Sequence, residues 1–155
     1  MSDTLPLAKI AQQMRRDSLI STTEAGSGHP STCLSCAEIM SVLFFDEMHF
    51  DPKDPRAYDV DVFVLSKGHA APILWSALFH AGGIQEDLRN LRKFTSPLEG
   101  HPTPRNPWVR VATGSRVVST MNTPCRSVAM PVTSVFFHSV APCSAAEAMK
   151  PFMTL

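Results

Sequence analysis

No excess of charge of either sign marks this chain: 14 Lys and Arg offset 14 Asp and Glu, and the formal net charge is zero. No basic run offers a track for a phosphate backbone, so no nucleic acid partner is expected, and no charge block suggests a tail. No apolar stretch is long enough to span a bilayer, so no membrane partner is expected either. The opening Met1-Ser2-Asp3-Thr4 lacks the basic-then-apolar layout of a signal peptide, which makes the cytoplasm the expected location. Cysteine is sparse. Cys33 and Cys36 have C-x-x-C spacing, but Cys125 and Cys143 form no second such pair, so neither a four-ligand zinc site nor redox chemistry is expected. The thiols are expected to be reduced and partly buried. With 155 residues the chain suits one domain and can bury a real core.

What is present is organised around Asp61-Val62-Phe63-Val64-Leu65-Ser66-Lys67-Gly68-His69-Ala70-Ala71-Pro72. Val60 to Leu65 is a short apolar, β-branched run of the kind covered on both faces of a sheet. Ser66-Lys67-Gly68 breaks it, and helix formers resume from Ala70 to Ala81. His69 therefore falls just beyond the carboxyl end of a strand, where open α/β sheets place their ligands.

Before that strand, Pro6 to about Thr23 reads as an amphipathic helix with Leu7, Ile10, Ala11 and Met14 on its apolar stripe and Asp3 or Thr4 as cap. Ala25-Gly26-Ser27-Gly28-His29-Pro30 follows, a loop whose backbone can approach a ligand closely. The next helix is expected to be capped by Ser31, Thr32 or Ser35, with Ser35 and Glu38 matching a capping box, and to be mostly buried through Phe44. A helix start beside such a turn also suits an anion. Glu47 to Asp59 reads as a polar connector interrupted by Pro52 and Pro55.

After it, Gly82-Gly83 ends the central helix, and Gln85 to Phe94 is expected to form a short amphipathic helix with Leu88 and Leu91 inward and Arg89, Arg92 and Lys93 outward. Ser96 to Pro107 is a proline-broken loop holding Gly100-His101-Pro102, and Val109 to Thr113 reads as a short extended segment. From Arg116 the character changes: the only acidic residue is Glu147, and neither Val132 to Val140 (a candidate strand) nor Ala145 to Met149 (a candidate brief helix) has clear periodicity. A division into 1–115 and a divergent, irregular 116–155 is expected.

Four ordered motifs, Ala25-Gly-Ser-Gly-His29-Pro30, Phe63-Val-Leu-Ser-Lys-Gly-His69-Ala, Gly100-His101-Pro102 and Ala112-Thr113-Gly114-Ser115, closely resemble the amino-terminal part of transketolase. Ala37 to Phe45 and Asn90-Leu91-Arg92-Lys93 are also similar to that family. The resemblance covers about Leu7 to Ser115. It implies an α/β fold, here a truncated parallel-sheet thiamine-diphosphate-binding domain with helices around it. It implies a transferase that moves two-carbon ketol units between sugar phosphates, with thiamine diphosphate and a divalent metal, magnesium or calcium, as cofactors. It also implies roles: His29 and His101 as catalytic histidines that contact substrate, and Thr32, His69, Gly114 and Ser115 as cofactor-binding residues. Imidazoles suit proton traffic on sugar hydroxyls because they titrate near neutrality and both donate and accept. His49, His80 and His138 carry no such implication.

The sequence also departs from the family. Arg116-Val117-Val118-Ser119 stands where the family has a glycine-rich run, and no Gly-Asp-Gly occurs, so the family's metal ligands are absent from this chain. The family is homodimeric; the second domain and the partner surface that complete its site are not found here, which argues against activity and dimerisation by this chain alone. Two alternatives stand beside ketol transfer: a non-catalytic truncated or spliced product that binds a full-length subunit, and a related thiamine-diphosphate synthase that makes deoxyxylulose phosphate. Ser66-Lys67-Gly68-His69 and Gly100-His101-Pro102 favour transketolase over the synthase.

Overall fold

The apolar stripe near the amino terminus forms the helix it specifies, α1 (Leu7–Glu24), which buries Ala11 and Met14. The computed structural model describes residues 6–57, 60–110 and 112 and the backbone of 136–138. The caps expected for α1, Asp3 and Thr4, lie outside them. The second half of α1 turns small hydroxyl residues inward. Ser18 Oγ donates to the Met14 carbonyl at 2.8 Å and Thr22 Oγ1 to the Ser18 carbonyl at 2.7 Å, so both are buried without an unpaired hydroxyl.

The next expected helix is broken in two: α2 (Pro30–Ser35) and α3 (Ala37–Val42), joined at Cys36, whose ψ of 8° leaves the helical region. The capping box does not form. Ser35 Oγ bonds the Thr32 carbonyl instead, and Glu38 pairs with Arg15 of α1. A π-helical turn, Leu43–Glu47, follows α3.

At the centre lies α4 (Ala71–His80), entered through a single 3-10 turn, Gly68–Ala70. Every residue from Ala71 to Leu78 is buried, as expected of a helix that is apolar all round and surrounded by packing partners. It packs against α1, α2 and α3, with Ile73, Leu74, Trp75 and Leu78 meeting Met14, Cys33 and Met40 in one core. Asp17 of α1 clamps it from outside, accepting from Ser76 Oγ at 2.8 Å and lying 2.7 Å from His80 Nε2. The helix stops at Gly82, with φ at +82°, where the Gly83 N–H returns to the Leu78 carbonyl at 2.8 Å.

The central apolar run yields a strand of three residues, β1 (Val62–Val64). Its partner is β2 (Phe136–His138), inside the segment expected as a strand; the pairing is antiparallel, with Phe63 opposite Phe137. The described residues are thus helix-rich with little sheet, and the parallel sheet expected from the sequence is not present among them. An apolar run reports burial but not the direction of its neighbour. Gln85 to Phe94 also differs from expectation: it holds one 3-10 turn, Leu88–Asn90, after which the chain turns sharply at Arg92. Ala145 to Met149 lies outside the described residues, as does the irregularity expected of 116–155 apart from β2. No helix among the described residues is long and apolar enough to cross a membrane.

Candidate functional site

Three loops converge beside the start of α4. The first is Gly26 to His29, between α1 and α2. Gly28 has φ at +135°, and a Cβ there would stand 2.6 Å from Thr22 Cγ2, so only glycine lets the loop lie this close against α1. His29 then sits at the cap position of α2 with no capping bond from its side chain, and Pro30 opens the helix. The second loop is the turn after β1, which sets His69 in the 3-10 turn before α4. The third is the proline-rich loop. It is tied to α4 by Trp75 Nε1, which donates to the Glu99 carbonyl at 2.8 Å, and anchored by the buried Leu98 and Pro102 on either side of Gly100-His101.

Together they enclose a cleft of ≈ 250 Å³ lined by Ser27, Gly28, His29, His69, Pro72, Leu91, Arg92, Gly100 and His101. The rings of His29 and His69 meet edge to face, 4.7 Å apart and inclined at 73°. Burial pushes the His69 imidazole below the ordinary histidine range, and the neighbouring His29, Lys67 and His101 push the same way by repelling its positive form. These surroundings favour the neutral imidazole over its protonated form. His29 and His101 are exposed at the rim.

Of the six residues assigned roles by resemblance, the structure brings His29, His69 and His101 to this one cleft. Thr32 stands on α2, partly buried and not among the lining residues; its carbonyl accepts from Ser35 Oγ. Gly114 and Ser115 lie outside the described residues. Among the lining residues to which the resemblance assigns no role, two have polar side chains, Ser27 and Arg92. Arg92 was expected on the outward face of a helix; instead it has φ at +62°, the only non-glycine positive φ among the described residues, and its side chain crosses Gly100 to donate from Nη1 to Ser27 Oγ. Holding an arginine in this region costs about 1 kcal/mol or more. No periodicity signals such a turn, although Arg92 N–H bonding back to the Leu98 carbonyl at 2.8 Å explains how it is held.

The chain matches the family described as transketolase, thiamine diphosphate binding domain, over residues 7–128. The chain belongs to the transketolase family. Its match to that family runs past Ser115, where the sequence motifs end. It is 53% identical over 110 residues to the transketolase of Homo sapiens, and 54% identical over 116 residues to transketolase-like protein 2 of Mus musculus. Those stretches are 70% and 74% of this chain but 18% of each relative, so the chain spans about a fifth of the curated relatives' length. In three dimensions it is similar to the transketolase of Leishmania mexicana, with a TM-score of 0.68 and 32% identity over 71% of this chain and 17% of that one.

The donor set of the cleft suits one of the two cofactors that the resemblance implies, thiamine diphosphate and a divalent metal, better than the other. Three imidazoles, with glycine backbone at Gly28 and Gly100 and apolar walls from Pro72 and Leu91, suit the reactive end of a thiamine-type heterocycle, which needs close backbone approach and nearby proton carriers. The metal finds no such match. Among the described residues, no three His, Cys, Asp or Glu side chains converge to hold a metal ion. The C-x-x-C pair does not serve either. Cys33 and Cys36 are free and buried, and burial raises both thiols, Cys36 to about 11.

Proposed function

We propose that this chain carries the histidine wall of a transketolase site, the part that binds thiamine diphosphate and handles protons while a two-carbon ketol unit passes between sugar phosphates. The observation that supports it most is the cleft itself, where His29, His69 and His101 arrive from three separate loops. When bound, thiamine diphosphate supplies the electron sink for breaking a carbon–carbon bond. The chain's own residues do the rest. His69, whose surroundings favour its neutral form, is suited to accept a hydrogen bond beside the cofactor. His29, in edge contact with it, and His101 at the rim are the catalytic candidates that hold or move protons on substrate hydroxyls. Pro72 and Leu91 keep water from one side.

The same proposal covers Thr32, Gly114 and Ser115 as cofactor-binding residues, an α/β architecture with a parallel sheet, a division near Ser115, sugar phosphates as substrates and a cytoplasmic location. Four motifs in the family's order support it. Ketol transfer by this chain alone is not part of it, because no Gly-Asp-Gly occurs in the sequence.

Calorimetric titration with thiamine diphosphate, with and without magnesium, tests the reading. Binding at one site per chain, changed little by magnesium, is expected; the absence of binding in both conditions would refute it. A coupled assay with xylulose 5-phosphate and ribose 5-phosphate is expected to give no turnover, and turnover that survives removal of contaminating enzyme would overturn the metal argument.

A further inference from the structure

We propose that Trp75 is a positioning residue for His101: its indole N–H ties the proline-rich loop to α4 and so sets His101 beside His69 on the wall of the cleft. Three observations converge. First, Trp75 departs from the helix around it, whose side chains fill the core without reaching for partners in this loop. It is 1% exposed, and its one polar group is a donor that needs an acceptor when buried. It finds the Glu99 carbonyl at 2.8 Å, and among the described residues no other hydrogen bond joins α4 to the loop from Ser96 to Pro107. Second, the same helix carries His69. The 3-10 turn Gly68–Ala70 runs into α4 without a break, because the Ala71 N–H bonds the Gly68 carbonyl and the Ala70 N–H the Lys67 carbonyl. One rigid element thus places His69 at its entry and grips the His101 loop about one turn further on. Third, the loop is stapled across His101. The Glu99 carboxylate accepts from Thr103 Oγ1 and pairs with Arg105 at 3.6 Å, so a hold on the Glu99 carbonyl is carried to the imidazole two residues on.

A role in bulk alone would ask of position 75 only a large apolar ring. The loop has other anchors, the buried Leu98 and Pro102 and the Arg92 N–H on the Leu98 carbonyl at 2.8 Å. Apolar burial has no direction, however, and the bond to Arg92 does not involve the helix that carries His69. The indole bond is directional and joins the two. Its loss has an electrostatic signature. After burial, the groups that disfavour the charged form of His69 are His29, Lys67 and His101, in that order, and Arg92 also lines the cleft. Of these, His101 alone sits on the loop that Trp75 holds. Releasing the loop removes the repulsion from His101 and leaves those from His29 and Lys67 in place. The proposal rests on the ketol-transfer reading only for what His101 then does to a substrate.

The test is an NMR pH titration of the His69 ring in the full chain, without ligand. The proteins are the native chain, Trp75→Phe, His101→Ala, the double variant, and Leu78→Ala, which opens the core on the same helix away from the cleft. The His69 midpoint is expected to rise in Trp75→Phe and in His101→Ala. The rise caused by Trp75→Phe should shrink once His101 is absent, because the two substitutions remove the same repulsion. Leu78→Ala should lower stability and leave the midpoint where it was, which separates positioning from a weakened core. An unmoved midpoint in Trp75→Phe, an equal rise in Leu78→Ala, or a Trp75→Phe rise as large without His101 as with it would overturn the proposal. Failure of thiamine diphosphate to bind the native chain, with this pattern intact, would sink the cofactor reading and leave the positioning role standing. Should Trp75→Phe lose its helical circular dichroism, benzothienylalanine at position 75 decides. It keeps the size of the indole and lacks the N–H, and an unmoved His69 midpoint in it would overturn the proposal.

Discussion

Replacing Gly28 with alanine should damage both stability and site geometry, through two separable causes. The backbone at φ +135° is one that side chains rarely adopt, costing about 1–3 kcal/mol. The new Cβ would also stand 2.6 Å from Thr22 Cγ2 and 3.3 Å from its Cβ. Thr22 cannot swing away: it is buried, stiff at χ1, and held by its hydroxyl on the Ser18 carbonyl at 2.7 Å. Overpacking of this kind adds about 1–3 kcal/mol. A total of about 2–6 kcal/mol would consume a large part of the stability of a small domain. Thr22→Ser removes the clashing methyl and keeps the hydroxyl, at a cost of about 1 kcal/mol on its own. In the double variant the 2.6 Å clash is gone, leaving the backbone strain and the 3.3 Å approach to the Cβ at position 22. Urea unfolding of the four proteins in the cycle should therefore give a favourable coupling of about 1–3 kcal/mol between the two sites. A Gly28→Ala protein within about 0.5 kcal/mol of the native chain, or a cost that Thr22→Ser leaves untouched, would refute the argument.

Three further outcomes follow from other parts of the molecule. The His69 imidazole should titrate below the ordinary histidine range in an NMR pH series and move up in His29→Ala, because a repelling neighbour is removed; as its folded value lies below its unfolded one, stability falls as pH drops through that interval. Burial alone would raise the Asp17 carboxyl, but hydrogen bonds from His80, Ser76 and Gln13 outweigh it and hold the group below the usual carboxylate range. Its contribution is present above the unfolded value and is lost as pH falls through the folded one, so Asp17→Ala should flatten the acid limb of stability and cost about 1–3 kcal/mol near neutrality through the orphaned, fully buried Ser76 hydroxyl. Cys33 and Cys36 should resist iodoacetamide at about pH 8 in the folded chain and react on unfolding, since burial keeps both protonated; rapid native alkylation would contradict their placement.

The residues that sequence reasoning located well are those fixed by local rules. A β-branched run, a polar break and a helix start together placed His69, and glycine beside histidine marked the two other loops of the cleft. What escaped depends on contacts distant in the chain. Ser35 and Glu38 match a capping box letter for letter, yet Arg15 lies across from Glu38 and the helix breaks at Cys36 instead. Arg92 falls on the polar face of a plausible helix, but Leu91 is drawn into the core and the Arg92 N–H onto the Leu98 carbonyl, which together turn the chain and send the guanidinium into the cleft. The direction of the neighbour of Val62–Val64 was likewise invisible, because apolar side chains record that they are covered and not by which strand.

The central claim is that three histidines from three loops form one ligand-contacting wall, and imidazole NMR of the intact chain tests it most directly. Addition of thiamine diphosphate followed by ribose 5-phosphate should shift the ring signals of His29, His69 and His101 and leave His80, bound to Asp17 outside the cleft, where it was. Shifts at His80 equal to those three, or stationary signals for all three, would contradict it.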